Sequence, residues 1–345
     1  MKILLVSEID RGGAGGLIEK NLSSLGVDVV TVNSRDFFKT SFPNRVFNKF
    51  LKTPHYLGKG IKSLNKTIIQ KASSEKFDVA IFFKPIFIYP KTVKTLNLKT
   101  KTVSWYPDHV SFPKSGSRFF YQSIPLFDLH LSCIRSNIKP MFALGAKKSI
   151  YLIITSDPDY HYPAKVSEEE REKYGADVVF IGTWANEERV AYLEKLCAEN
   201  YDILIYGNSW NNLPKRSCLV KKNKIRKPAY GDEMSKVINS SKIVLAFMRR
   251  HNDEKVGCRT YEIPLCRGFM LHERTEEAEK LLESEKEADF FGSYEELKEK
   301  IDFYLARPEL RKEISEAGCQ KILHSGELVG DQMKKLIDIL RKELL

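Results

Sequence analysis

The sequence alternates short, continuous apolar runs with segments in which apolar residues recur every three or four positions. Continuous apolar runs are typical of parallel strands that are buried on both faces, and the segments between them have the period of helices. Strands that alternate with helices in this way predict parallel βαβ units with right-handed crossovers. The predicted strands are 3–6, 27–32, 77–83, 101–105, 127–133, 149–154, 177–182, 202–207, 243–248, 269–271 and 289–291.

The alternation lapses once, between Ser156 and Gly175, where the sequence is polar, contains proline and includes the acidic run Ser167–Lys173. We expect a linker there. A chain of 345 residues also exceeds the size at which a single core stops growing. The predicted fold class is therefore α/β, with two Rossmann-like doubly wound parallel-sheet domains that face each other across a ligand-binding cleft. The predicted segments are an N-terminal domain 1–165, a C-terminal domain 166–330 and a final helix 331–345.

The net charge of +11 is unevenly distributed along the chain. Residues 1–165 carry 25 basic and 11 acidic side chains, a net charge of +14, whereas residues 166–345 carry 31 and 34. The two halves are therefore expected to meet different partners. The six cysteines form no C-x-x-C pair, and no apolar run reaches the roughly 18 residues of a membrane span. We expect reduced thiols and a cytoplasmic protein.

A cluster of glycines follows the first predicted strand. Backbone N–H groups in such a loop can approach an anion or a sugar at the start of the next helix. The loop does not match the G-x-G-x-x-G dinucleotide fingerprint, because Ala14 and Ile18 stand where it requires glycine, so a nicotinamide cofactor is disfavoured. A tight turn and a loop that binds the acceptor or another ligand remain equally good interpretations. The glycines are Gly12, Gly13, Gly15 and Gly16.

Asp157-Pro158-Asp159 has the D-x-D pattern that binds metal diphosphates in some transferases. It lies beside the predicted linker and not at a strand end facing a cleft. A proline-fixed turn is the simpler interpretation. We therefore predict no metal site.

Residues 251–274 combine many polar side chains with apolar ones. A loop that leaves a predicted strand leads into a helix whose first turn carries Arg259 and Glu262. Helix N–H groups and a guanidinium can bind a phosphate, and a carboxylate can accept hydrogen bonds from ribose hydroxyls. Glu254 and Glu262 also have an E-x7-E spacing, whose functional meaning the sequence leaves open. A solvated helix face with ordinary ion pairs is the alternative.

Residues 37–74 contain eight basic residues and no acidic one. Aromatic residues lie between them, and Phe47, Phe50 and Leu51 fall on one face of a helix. Such a segment can dock on an anionic membrane surface, with about 1 kcal/mol per basic residue. The same composition could bind nucleic acid or form a solvated basic helix. Because the second half of the chain offers no continuous basic groove, nucleic acid is disfavoured.

Several motifs of the second half can be compared with known sequences. They are Phe180-Ile181-Gly182-Thr183 with Arg189, Ile205-Tyr206-Gly207-Asn208-Ser209-Trp210, His251-Asn252-Asp253, Arg259-Thr260-Tyr261-Glu262-Ile263-Pro264, Gly268-Phe269-Met270-Leu271, Gly292-Ser293-Tyr294-Glu295-Glu296-Leu297, Pro308-Glu309-Leu310-Arg311 and Ala317-Gly318. This region, about residues 177–323, resembles a bacterial glycosyltransferase group, the spore-maturation (CgeB-like) branch of the group 1 glycosyl transferases. In the N-terminal half only the glycine loop and the overall pattern resemble that class.

The resemblance implies a GT-B fold with a nucleotide-sugar donor, UDP- or GDP-linked, held mainly by the second domain. It implies that Glu262 binds the donor ribose and that Arg259, with the turn at Gly182 and Thr183, meets the diphosphate. The final helix would cross back onto the first domain. The other residues expected in the donor site are Arg189, Arg249, Asn252 and Asp253, with Tyr206, Gly207 and Trp210 near the base.

Transfer from such a donor is a displacement at the anomeric carbon, with a nucleotide diphosphate as the leaving group. Cations and backbone N–H groups can stabilise that leaving group, so we expect neither a metal nor a cofactor. If the reaction inverts the anomeric centre, it also needs a base near the acceptor. Asp108 and His109, at the end of a first-domain strand, are the predicted base or acceptor anchor. Asp10, beside the glycine loop, is the reserve.

The predicted function is transfer of a sugar from a nucleotide-diphosphate sugar to a glycan, a lipid-linked acceptor or a protein. Its expected place is the cytoplasm or the inner face of the membrane, in the synthesis of cell-envelope or spore polysaccharide. Two alternatives remain open. One is a non-catalytic nucleotide- or glycan-binding protein, or a coat-assembly protein, of the same fold, and the other is a nucleotide-sugar 2-epimerase.

Overall fold

The structure, a computed structural model, describes residues 1–9, 12–38, 58–112 and 116–345. Its contacts divide the chain into two compact units. Unit 1 comprises Met1–Ile154 together with Val329–Leu345, and unit 2 comprises Thr155–Leu328. The chain therefore returns to unit 1 after it has completed unit 2.

Unit 1 begins with alternating strands and helices. The strands are β1 (Lys2–Ser7), β2 (Asp28–Asn33), β3 (Val79–Phe83), β4 (Lys101–Tyr106), β5 (Leu129–Ser132) and β6 (Ser149–Tyr151). The helices are α1 (Ala14–Ser24), α2 (Lys59–Ser74), α3 (Pro90–Leu96), α4 (Arg118–Ser123) and α5 (Ile138–Ala143). Within the described residues these strands pair in parallel, in the order β2-β1-β3-β4-β5-β6.

Unit 2 repeats this architecture. Its strands are β7 (Val178–Ile181), β8 (Ile203–Tyr206), β9 (Ile225–Arg226), β10 (Ile243–Ala246), β11 (Met270–Glu273) and β12 (Asp289–Phe291). Its helices are α6 (Glu168–Tyr174), α7 (Glu188–Ala198), α8 (Cys218–Lys221), α9 (Asp232–Ser240), α10 (Cys258–Leu265), α11 (Glu276–Leu281), α12 (Tyr294–Leu305) and α13 (Pro308–Leu323). The strands form a parallel sheet in the order β12-β11-β10-β7-β8-β9.

The apolar runs form the central strands of both sheets. Every residue of β7, β8 and β10 is buried, as the continuous runs require when helices cover both faces of a parallel sheet. The α/β class with two Rossmann-like parallel sheets is thus confirmed. The two-residue edge strand β9 was not predicted, because a run this short has no recognisable periodicity.

The segment predicted as a linker contains a helix. Ser167 caps α6: its hydroxyl accepts a hydrogen bond from the Glu170 backbone N–H at 3.2 Å, and the Glu170 carboxylate accepts one from the Ser167 N–H at 3.1 Å. The acidic run Ser167–Lys173 is therefore the start of a capped helix and not unstructured chain. The helix buries no residue, so no apolar pattern marked it in the sequence.

The final helix, α14 (Val329–Glu343), belongs to unit 1, where it packs on α1. Met333, Leu336 and Leu340 are buried on its inner face. At its last turn, the Lys148 Nζ donates to the Glu343 backbone carbonyl oxygen at 2.8 Å and lies 2.9 Å from its Oε2. This pair is exposed, so the buried face contributes most of the stability of the contact.

The described part of the basic segment 37–74 is dominated by α2. Its apolar side chains Leu64 and Ile68 are buried against the sheet, whereas Lys62 and Lys66 are exposed. The basic groups of helix α2 therefore face outward, and its apolar face packs in the core of unit 1. In the parts of the chain that the structure describes, no helix is long and apolar enough to cross a membrane.

Some predicted features lie outside the described residues. They are Asp10, the reserve base, and the amphipathic positions Phe47, Phe50 and Leu51.

Candidate functional site

The candidate donor site lies in unit 2, where the strand order of the sheet reverses. Strand β7 is the first strand of this sheet in the chain, and it has β8 on one side and β10 on the other. Such a switch point opens a crevice at the carboxyl ends of the strands. Gly182 directly follows β7, Gly207 directly follows β8, and Arg249 lies shortly after β10.

Gly182 and Gly207 let the loops after β7 and β8 touch. The Gly182 N–H donates to the Tyr206 carbonyl oxygen at 2.8 Å. A Cβ on Gly207 would lie 1.9 Å from the Gly182 carbonyl oxygen, far inside contact distance. The Trp210 indole N–H also donates to that oxygen, at 2.8 Å. Close backbone approach therefore requires glycine at position 207.

Tyr206 and Trp210, which were expected near the base, lie in the core. Trp210 is 1% exposed and packs edge-on against Phe180. Tyr206 is 3% exposed, its hydroxyl donates to the Tyr174 carbonyl oxygen at 2.9 Å, and burial raises its pKa to about 12. Neither ring is accessible for stacking. Both pack in the core next to the ends of β7 and β8.

The N-terminal half of α10 brings a cation, Arg259, and a carboxylate, Glu262, to the switch point. The Arg259 Nε donates to the carbonyl oxygen of Ile181, the last residue of β7, at 3.1 Å. Its Nη1 contacts the Glu262 Oε2. Burial lowers the pKa of Arg259, but a guanidinium remains charged at neutral pH. Glu262 is only 8% exposed, so its carboxylate is held largely out of water, whereas the Arg259 side chain is partly exposed.

The imidazole ring of His161 also lies beside the Glu262 carboxylate. Its Nε2 lies 3.4 Å from the Glu262 Oε1, and the residue is 3% exposed. Burial, aided by the charge of Arg259, lowers the pKa of His161 to about 4. The ring is therefore neutral near pH 7. This contact was not predicted, because His161 lies in the segment predicted as a linker.

The loop after β10 is shaped by its own polar residues. Asn252 is 1% exposed, and its Nδ2 donates to the Glu254 Oε1 at 3.2 Å. The Glu254 Oε2 accepts a hydrogen bond from the Arg249 backbone N–H at 3.3 Å. Burial raises the pKa of Glu254. Asp253 has a left-handed backbone, with φ 50°, and pairs with Lys255 at 2.7 Å.

Arg189 ties the loop after β7 to its surroundings. It is 6% exposed, donates to the Thr183 carbonyl oxygen at 3.0 Å and lies 3.2 Å from the Glu187 Oε2. Burial lowers its pKa. Glu187 also contacts the His251 ring, which links this loop to the loop after β10. Arg189 and Glu187 therefore brace the two loops.

Arg249 differs from the other arginines of the site. It lies within electrostatic range of Arg189, Glu254 and Arg259. Over the ranges the structure describes, its guanidinium makes no ion pair, whereas Arg189 and Arg259 each have a carboxylate partner. Arg249 is partly exposed and is available to an anion.

Tyr230 is an aromatic residue at the same edge of the unit 2 sheet. It was not predicted from the sequence. It lies between β9 and α9, and 61% of it is exposed. Its hydroxyl accepts a hydrogen bond from the Asn208 Nδ2 at 2.8 Å, and Asn208 directly follows Gly207. An exposed ring fixed by its hydroxyl is a platform on which a planar group could stack. A lone tyrosine in a polar loop carries no periodic signal.

The predicted acceptor-side pair lies at the strand ends of unit 1. The Asp108 Oδ2 lies 2.8 Å from the Lys84 Nζ, and Lys84 follows β3 with a left-handed φ of 51°. The His109 Nδ1 accepts a hydrogen bond from the Ser111 N–H at 3.2 Å. Buried Asn137 donates to the Asp108 carbonyl oxygen at 2.8 Å and so fixes this turn.

The glycine loop of unit 1 forms the start of α1. Gly12 has a φ of 78°, Gly13 caps the helix without a side chain, and Gly16 lies in its first turn. A Cβ on Gly15 would lie 2.2 Å from the Glu8 carbonyl oxygen. Packing of the helix against the end of β1 therefore explains Gly15.

Asp157 forms a turn. Its Oδ1 accepts a hydrogen bond from the Asp159 N–H at 2.9 Å, and the residue is 4% exposed. No group of three or more His, Cys, Asp or Glu side chains that could hold a metal ion is found among the described residues.

Comparisons with known proteins give a family match in the second half of the chain and structures that share the fold. A family model described as glycosyl transferase-like matches residues 189–338, which include α10 and the loop after β10. A search of curated proteins finds no match.

Solved structures of low sequence identity share the fold over the whole chain. A glycosyltransferase from Rickettsia africae is 15% identical with a TM-score of 0.63, and the match covers 99% of this chain and 98% of that one. HepE from Anabaena, solved with UDP-glucose, is 11% identical with a TM-score of 0.64, covering 99% and 100%. A sucrose-phosphate synthase from Thermosynechococcus elongatus is 11% identical with a TM-score of 0.66, covering 99% and 98%.

Proposed function

We propose that this protein transfers a sugar from a nucleotide-diphosphate sugar to an acceptor. The observation that carries the proposal is the Arg259–Glu262 pair in the N-terminal half of α10, at the switch point of the unit 2 sheet. The glycosyl transferase-like match over residues 189–338 and the UDP-glucose complex of the similar HepE support it.

The diphosphate is proposed to bind between Arg249 and the first turn of α10. Arg249 has a guanidinium without an ion pair among the described residues, and Arg259 lies beside it. Cations and helix N–H groups stabilise the negative charge that develops on a diphosphate leaving group. We therefore propose that leaving-group stabilisation comes from these groups and not from a metal, and that turnover persists in EDTA.

The ribose is proposed to bind Glu262 and the base to stack on Tyr230. A carboxylate accepts hydrogen bonds from ribose hydroxyls, and Glu262 pairs with Arg259 at the crevice. Tyr230 replaces the buried Tyr206 and Trp210 in this role, since it is the residue of the three with an exposed ring. Stacking of a base on an aromatic ring contributes about 1–3 kcal/mol.

The acceptor is proposed to meet unit 1, with Asp108 or His109 as the base that takes its proton. Both follow β4, and Asn137 holds their turn. A glycan or a lipid-linked acceptor fits the proposal. The basic surface of α2 supports docking on an anionic membrane, which flotation with vesicles of phosphatidylglycerol, against neutral phosphatidylcholine vesicles, would test.

The finer family placement is also a proposal. The motifs from Arg259 to Pro264 and from Gly292 to Leu297 support the spore-maturation branch and a hexosyl donor. A role in envelope or spore polysaccharide synthesis at the cytoplasmic side follows from that placement.

The test is release of nucleoside diphosphate from a panel of UDP- and GDP-sugars, with EDTA present and with glycan or lipid extracts as acceptors. We expect one donor to turn over, and Arg259→Ala and Glu262→Gln each to lower kcat/KM at least about tenfold, the worth of one charged hydrogen bond. Lys312→Ala, which removes an exposed cation of α13, is the matched control and should keep the wild-type rate. Wild-type rates in both site variants would contradict the assignment.

Two further measurements with the same donors, nucleotide binding and deuterium incorporation, separate the alternatives. Binding without turnover would favour a non-catalytic protein of this fold. Solvent deuterium in the donor sugar without any acceptor would favour a 2-epimerase.

A further inference from the structure

We propose that His161 is a positioning residue of the donor site, whose Nε2–H restrains the Glu262 carboxylate in the orientation that accepts the ribose hydroxyls. This inference rests on the proposed function and adds to it a residue that lies outside the region covered by the family match.

The two oxygens of Glu262 face different partners. The Oε2 contacts the Arg259 guanidinium, and the Oε1 faces the His161 Nε2 at 3.4 Å. That distance is longer than a typical N–H···O hydrogen bond, and such contacts often tighten when a ligand binds. Arg259 alone would leave the carboxylate free to rotate about its terminal torsion. A second donor that closes on the other oxygen when the ribose binds would remove this freedom.

The tautomer of His161 is determined by its other ring nitrogen. The Asp157 backbone N–H points at the His161 Nδ1 at 3.4 Å. Because a backbone N–H only donates, the Nδ1 is the acceptor, and the proton of the neutral ring is on the Nε2. The ring that faces Glu262 therefore carries a donor but no charge. It restrains the carboxylate without adding a second cation, so Glu262 keeps its capacity to accept from neutral hydroxyls.

The segment that carries His161 is itself held in place. The Tyr162 hydroxyl donates to the Asp232 Oδ1 at 3.0 Å, and the Ala164 N–H donates to the Asn239 Oδ1 at 2.6 Å. Both acceptors belong to α9. Together with the turn at Asp157, these bonds fix His161 against unit 2, as a positioning residue requires.

The test compares ribose with deoxyribose nucleotides. Calorimetric titrations of UDP, GDP and their 2′-deoxy and 3′-deoxy counterparts measure how strongly each variant recognises the ribose hydroxyls. We expect the wild type to prefer the ribonucleotide over the weaker-binding deoxy analogue by about tenfold or more, as for a hydrogen bond to a charged group. In His161→Leu this preference should fall to about threefold or less, while affinity for that analogue stays close to that of the wild type. His161→Gln, whose amide can still donate to Glu262, should restore most of the preference.

His130→Leu is the matched control, because it also removes a buried neutral histidine but lies in unit 1. Its ribose preference should equal that of the wild type, which separates general destabilisation from the loss of this contact. A wild-type preference in His161→Leu would overturn the inference and leave the proposed function intact. Failure of the wild type to bind any of these nucleotides would overturn the proposed function as well.

A ligand-free measurement tests the tautomer separately. In ¹⁵N NMR spectra of the full chain at pH 7, the His161 Nε2 should carry the proton and the Nδ1 should not. The opposite tautomer would overturn the inference, because Nε2 could not donate to Glu262.

Discussion

At the residue scale, the geometry of the proposed donor site depends on a glycine as well as on charged groups. Gly207 permits the contact between the loops after β7 and β8, and the Gly182 carbonyl oxygen at that contact also accepts the Trp210 indole N–H. Any side chain at position 207 must push the two strand ends apart. The same movement would displace the turn at Gly182 from the first turn of α10.

Gly207→Ala is therefore expected to lower the free energy of unfolding by about 2 kcal/mol or more, through forced separation of backbone atoms. Urea unfolding followed by circular dichroism measures this. Gly330→Ala, inside α14, is the control, since a Cβ there would lie at an ordinary 3.5 Å from its nearest atom, and it should not lower stability. Equal stability of both variants would show that the close approach does not exist.

Tyr230 gives a second prediction at this scale. Tyr230→Ala should weaken binding of the nucleoside diphosphate by about 1–3 kcal/mol, because the stacking platform is lost, and Tyr230→Phe should retain most of the affinity. Phe142→Ala, which removes an exposed ring of unit 1, should bind as the wild type does. Unchanged affinity in Tyr230→Ala, measured by the same titrations, would place the base elsewhere.

At the scale of elements, buried charges join neighbouring segments. Asp289 of β12 is 1% exposed and accepts hydrogen bonds from the Lys300 Nζ at 2.8 Å and from the Tyr304 hydroxyl at 2.9 Å. Both donors belong to α12. The Ser284 hydroxyl donates to the same carboxylate at 2.9 Å, so its oxygens are well supplied with donors.

Asp289→Asn should lower the free energy of unfolding by about 3 kcal/mol. This value is near the lower end of the range for breaking a buried ion pair, because Lys300 is partly exposed. Thermal unfolding of unit 2 should begin at a lower temperature. Glu283→Gln removes one partner of an exposed pair with Lys286 and should cost less than about 0.5 kcal/mol. If Asp289→Asn lowers the free energy of unfolding by no more than this control does, the buried pair contributes little to stability.

The elements themselves were largely predictable. The central strands have continuous apolar runs. Their positions along the chain and the α/β class could therefore be predicted from the sequence. Helix α6 was missed because it buries no side chain, and its capping box stood inside an acidic run. The edge strand β9 was missed because it spans two residues.

The candidate site was only partly predictable. Arg259 and Glu262 share one turn of a helix, so their proximity could be predicted from spacing alone. His161 reaches Glu262 across about a hundred residues of chain, and no local pattern reports such a contact. Tyr206 and Trp210 followed a recognised motif, but whether a ring faces the core or the crevice depends on tertiary packing.

At the scale of the whole molecule, buried histidines couple both units to pH. Burial lowers the pKa of His130, His161 and His272 to about 4 each. All three are neutral in the folded chain and would gain protons near pH 6.5 once exposed by unfolding. Because each folded-state pKa lies below the unfolded one, their stabilising contribution is complete above pH 6.5 and is lost as the pH falls toward 4.

Between pH 6.5 and 5 the free energy of unfolding should therefore fall, with a limiting slope on the order of 4 kcal/mol per pH unit for three protons, and the midpoint of urea unfolding should fall with it. His272→Gln should flatten this dependence by about a third of its slope. His324→Gln, which replaces an exposed histidine at the end of α13, should leave it unchanged. A midpoint independent of pH in this range would contradict neutral burial of these rings.

We propose that unit 2 holds a nucleoside diphosphate at the cluster formed by Arg249, Arg259 and Glu262. The most direct measurement is calorimetric titration of UDP and GDP into the full chain in EDTA, for the wild type, Arg249→Ala and the control Lys312→Ala. We expect one nucleotide to bind the wild type and the control equally, and to bind Arg249→Ala at least about tenfold more weakly. No binding of either nucleotide, or equal affinity in all three proteins, would contradict this assignment of the nucleotide site.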